Sequence, residues 1–131
     1  MIGQRFYIDK YDWQVMVLYE VGSDSANIVI GMLESICDDN EILDTAYESL
    51  SNGKPNTGFT YSDYDKRRSF MVIGKTTSPS ETLNTIVHEA NHLKSHIATV
   101  FNVDEKGEEV CYLIGDIVRR MYGVFRKFIC A

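Results

Sequence analysis

The segment His88-Glu89-Ala90-Asn91-His92 puts two imidazoles and a carboxylate within five residues. On a helix, residues four apart stand one turn apart on the same face, so both rings can reach one cation. Zinc suits two such imidazoles, and Glu89, next to the first of them, can act as general base on an activated water. The same five letters also arise by coincidence on solvated helices, so their meaning depends on the elements that carry them.

The local sequence supplies a helix. Ser78-Pro79-Ser80-Glu81 gives an N-cap serine, proline at the first helical position and glutamate at the third, and the periodic pattern runs to about Phe101. At about 100° per residue, Leu83, Ile86, Val87, Ala90, Leu93, Ile97 and Phe101 form one broad apolar face. His88, Glu89 and His92 fall on the opposite side with Asn84, Ser95, His96 and Thr99, facing a polar cleft or solvent.

A catalytic zinc takes three protein ligands and keeps one position open. His96 continues the spacing, but eight residues of straight helix span about 12 Å, too far for three rings on one ion. It is read as a residue beside the site or on the surface. The next helix, expected from about Glu105 to Phe128 after a short connection, opens with Glu108-Glu109. Its main apolar stripe is Val110, Leu113, Ile114, Ile117 and Met121. A second strip carries Glu108, Cys111, Gly115 and Val118, whose small residues would let a neighbouring helix come close. If the first helix packs there, Glu108 is delivered to the histidine pair, with Glu109 the runner-up. The alternative is an ordinary acid in a helix's first turn, favoured by the macrodipole.

Earlier in the chain, Trp13, Val15, Val17 and Tyr19 alternate with Gln14, Met16, Leu18 and Glu20 in a strand with apolar residues on both faces. Ile28, Met32, Leu33 and Ile36 recur at helical spacing, and a weaker helix is expected from Glu41 to Leu50. Thr57 to Asp63 and Ser69 to Ile73 read as a hairpin turning at Tyr64-Asp65-Lys66-Arg67-Arg68. The fold class this predicts is α+β: a small antiparallel or mixed sheet packed against helices, residues 1–131 forming one domain.

At 131 residues, with 44% hydrophobic and 24% charged residues, the chain can bury a core unaided. The net charge of −6 argues against nucleic acid as the main partner. Neither a membrane-length apolar run nor a signal-peptide pattern is found, which predicts a cytoplasmic protein with no membrane partner. Cys37, Cys111 and Cys130 are widely spaced and read as buried free thiols in a reducing compartment.

The stretches Asn84-Thr85-Ile86-Val87-His88-Glu89-Ala90-Asn91-His92 and Gly107-Glu108-Glu109-Val110-Cys111-Tyr112-Leu113-Ile114-Gly115 resemble the small zincin-like metallopeptidases of bacteria and phages. That gluzincin-type family pairs HExxH with a downstream glutamate segment, and the likeness spans about residues 57 to 122. The resemblance implies zinc held by His88, His92 and Glu108, Glu89 as the base, and a peptide or protein as substrate. It also implies a minimal zincin core in which the HExxH helix is followed by the C-terminal helix. Two departures stand out: Tyr112 follows Glu108 by four residues in place of the larger families' N-E-x-x-S-D form, and no second lobe builds a deep cleft. A non-catalytic zinc-binding interaction module with the same core is therefore the alternative. Tyr61, Tyr64 and Tyr112 are each open as oxyanion donors, with packing or surface roles as the competing reading.

Overall fold

The computed structural model describes residues 1–130. Strands β1 (Ile2–Ile8) and β2 (Trp13–Val21) pair antiparallel around a tight 3-10 turn that ends on Asp12 in the left-handed region. Helices α1 (Ala26–Glu34) and α2 (Asn40–Ser51) follow, then the hairpin β3 (Gly58–Asp63) and β4 (Arg68–Gly74), then α3 (Pro79–Phe101) and α4 (Glu108–Ile129). The sheet order is β1-β2-β4-β3, with β2 and β4 parallel and the outer pairs antiparallel. The expected α+β class, with a mixed sheet, is the architecture found.

Helices cover both faces, and the two central strands carry apolar side chains in both directions for that reason. Trp13, Val15, Val17, Tyr19, Met71 and Ile73 point into a core shared with Ile86, Leu93, Ile97, Leu113, Ile117 and Met121 of α3 and α4. Leu18, Phe70 and Val72 point the other way, against Val29 and Leu33 of α1 and Ala46 of α2. The burial expected of the three cysteines is met at Cys37 and corrected at Cys111 and Cys130, which are exposed. No helix among the described residues is long and apolar enough to cross a membrane.

β1 is an element that hydrophobic alternation does not announce, because its inward face carries Gln4. That amide is tied down from both sides, accepting from the Tyr19 hydroxyl at 2.5 Å and donating to the Arg120 carbonyl at 2.8 Å. A polar residue on an inward face is tolerated once its hydrogen bonds are made.

α3 begins as its sequence predicts. The Ser78 hydroxyl accepts the Glu81 backbone N–H, and Pro79 occupies the first turn, where its missing donor costs nothing. Asn102 ends the helix in the left-handed region. α3 lies over β3 and β4, while α4 reaches β1, where the Arg120 guanidinium donates to the Tyr7 carbonyl. One flank of α3 therefore faces α4, and the other opens along β3, the edge strand.

Candidate metal centre on the edge-strand flank

His88 and His92 both stand exposed on the open flank of α3. Their Nε2 atoms are 3.2 Å apart and their ring centroids 4.8 Å apart. Two imidazole nitrogens bound to one zinc, each about 2.0–2.1 Å away, lie about 3.3 Å apart at a tetrahedral angle. The pair is thus spaced as two ligands of one ion. An N–H···N bond between neutral rings has the same separation.

Glu89 corrects the helical-wheel expectation. The wheel puts it on the polar side with the histidines, yet it is 2% exposed, because the edge strand folds over it. The Thr60 hydroxyl donates to one carboxylate oxygen at 2.8 Å. The other oxygen lies 3.9 Å from His88 Nε2. Burial raises the carboxyl's pKa, while the Thr60 hydrogen bond and the two histidines pull it down; the net shift is upward. One oxygen is anchored and the other is turned towards the histidine pair, the posture of a general base.

The strand permits this approach through three small residues on one face. Gly58, Thr60 and Ser62 alternate towards α3, with Phe59 and Tyr61 packed on the opposite side. A Cβ at Gly58 would meet the Val72 carbonyl at 2.4 Å and Glu89 Cγ at 3.2 Å. Small residues at i, i+2 and i+4 of a strand are the sequence signal for this close helix approach, one that the helical wheel of α3 does not contain.

His96 is half-buried in the same seam, its Nδ1 2.7 Å from the Ser62 hydroxyl. Its ring centre is 6.4 Å from that of His92. Two rings sharing a tetrahedral ion would be centred about 5 Å apart, so His96 does not join the pair as a ligand, as its spacing predicts.

Glu108 is not brought to the histidines. It opens α4 and lines a shallow hollow with Lys10, Tyr11, Phe101 and Asn102, at the far end of α3. Nine residues of helix, about 14 Å along the axis, separate His92 from Phe101. The flank is also wrong. Lys94, paired at 2.8 Å with Glu105 of the α3–α4 connection, stands on another side of the helix, and His92 lies two residues, about 200°, round from it. Glu109, the runner-up, accepts a hydrogen bond from the Tyr11 hydroxyl at 2.5 Å and pairs with Lys10. The packing that would have delivered Glu108 does not form. α3 meets the broad stripe of Val110, Leu113, Ile117 and Met121, which buries far more apolar surface, and Cys111 is left exposed. A Cβ on Gly115 would touch nothing within 4 Å. Among the described residues, no group of three or more His, Cys, Asp or Glu side chains is arranged to hold a metal ion.

The three tyrosines separate as well. Tyr61 faces the α1 and α2 side of the sheet, where burial, followed by its contact with Cys37, pushes its pKa up to about 12. Tyr112 is 72% exposed on α4. Tyr64 alone of the three lies on the edge-strand flank of α3, its ring edge-on to His96 at 5.6 Å. Against protein-family models, curated proteins and solved structures, the chain has no match.

Proposed function

We propose that the flank formed by His88, Glu89, His92 and β3 is the working face of a zinc-dependent peptidase. The observation that carries this reading is the convergence of two imidazole nitrogens beside a buried carboxylate with one free oxygen. His88 and His92 would hold the ion, which when bound supplies Lewis-acid activation of water and of a carbonyl group. Glu89 takes up a proton and passes it to the leaving amine, its second oxygen fixed by Thr60. The free edge of β3 offers backbone donors and acceptors to an extended peptide by strand addition.

The test is metal content first and turnover second. Purified protein supplied with zinc is expected to carry about one ion per chain, and His92→Ala to lose it. Elemental analysis checks both, and a metal-free wild type after that treatment ends the proposal.

A second reading, a zinc-binding module without turnover, is favoured by one observation: only two protein ligands converge on the flank. Cleavage of a mixed peptide library by wild type, with Glu89→Gln as the inactive control, separates the two. A zinc-loaded wild type that cleaves nothing supports the module.

A further inference from the structure

A chain of hydrogen bonds runs from the core to the edge-strand flank. Trp13 Nε1–H donates to the Ser69 hydroxyl at 2.8 Å, Ser69 and Ser62 are 2.6 Å apart, and Ser62 meets His96 Nδ1 at 2.7 Å. Indole can only donate. Ser69, buried, accepts that bond and has one other neighbour for its own proton, the Ser62 oxygen. Ser62 in turn has His96 Nδ1 as the acceptor within hydrogen-bond distance for its own proton, and donating there satisfies every group of the chain. The reverse direction would leave the Ser69 proton buried with no acceptor. With Nδ1 accepting from Ser62, the neutral ring carries its single proton on Nε2, on the far side of the ring from Ser62.

We infer that His96 is a positioning residue: its Nε2–H donates to a backbone carbonyl of an extended peptide, two residues from the bond that is cleaved. The spacing supports the register. His96 follows His92 by one helical turn, with ring centres 6.4 Å apart. In an extended peptide, carbonyls two residues apart point the same way and are separated by about 6.6–6.8 Å. A peptide lying along β3 with one carbonyl beside His92 therefore presents the next like-facing carbonyl beside His96. This role rests on the peptidase reading; the tautomer does not.

Two measurements keep those claims apart. Two-bond proton–nitrogen correlation spectra of the protein, with and without zinc, should show His96 as the Nε2–H tautomer, and Ser62→Ala should mix the tautomers. A His96 protonated mainly on Nδ1 overturns the inference whatever the activity. For the role, fluorogenic peptides chosen from a library by wild-type cleavage are lengthened stepwise on either side of the cleaved bond. His96→Asn retains an acceptor for Ser62 but no donor at the Nε2 position, whereas His96→Gln puts an amide N–H near it. The Asn variant should lose about five- to tenfold in kcat/KM, mostly through KM, only on peptides long enough to carry the second carbonyl. The Gln variant should recover most of that loss. Equal losses on short and long peptides overturn the positioning role. If zinc-loaded wild type cleaves no peptide, the peptidase reading fails and takes this role with it, while the tautomer result still reports on the hydrogen-bond chain.

Discussion

In the proposed reaction Glu89 carries opposing demands. A base needs a carboxylate, yet desolvation favours the neutral acid and lifts its pKa above the ordinary value of 4.5. A carboxyl whose folded pKa exceeds its unfolded pKa contributes stability that is complete below the unfolded value. That contribution is lost as pH rises through the raised folded value. In the metal-free protein, ionised Glu89 therefore weakens the fold at neutral pH. Glu89→Gln should gain stability on wild type as the pH is raised from below about 4.5 to 7, a trend that melting temperatures of metal-free samples would follow. A gap that stays constant across that range, or shrinks, would contradict the burial argument. The zinc-loaded Gln variant should hold its metal and cleave nothing. HExxH announced the carboxylate's identity; its burial was not legible, because it is imposed by a strand some thirty residues earlier in the chain.

The seam between β3 and α3 depends on small residues more than on apolar ones. Gly58→Ala places a methyl against the Val72 carbonyl and the Glu89 side chain, and overpacking of this kind costs about 1–3 kcal/mol. Denaturant unfolding should show that loss, and peptide cleavage should fall as Glu89 is displaced from its place beside the histidine pair. Ser78→Ala is the contrasting case. It removes the α3 cap, costs about 1 kcal/mol, and should leave zinc affinity alone, since the cap lies ten residues before His88. α3, α4 and the hairpin were readable from caps, period and turn chemistry. β1 was not: its inward Gln4 is satisfied by partners from β2 and α4 that only the folded chain supplies.

Across the whole molecule, the deciding fact is which flank of α3 each neighbour takes. α4 packs on one side and β3 borders the other, so the acids that open α4 stand away from the histidine pair. Glu108→Ala should accordingly change zinc affinity by less than about twofold, whereas removal of a protein ligand abolishes most of it. Competition titration with a zinc indicator measures this directly. A loss as large as that of His92→Ala would mean that α4 swings round α3 when metal is bound, and would restore Glu108 as the third ligand.

The sequence by itself determined the capped helix, the one-turn spacing of His88 and His92, the hairpin and the α+β class, since each follows from short-range period, capping and turn chemistry. Tertiary structure alone decided three things. Edge-strand packing buried Glu89 and bound it to Thr60. The Trp13–Ser69–Ser62 chain tied His96 into the seam. The wider apolar stripe of α4 outweighed its small-residue strip and carried Glu108 to the far end of α3. The physical reason is common to all three. A helical wheel ranks the faces of one helix, but which face meets which neighbour is set by the total surface buried when every element packs at once.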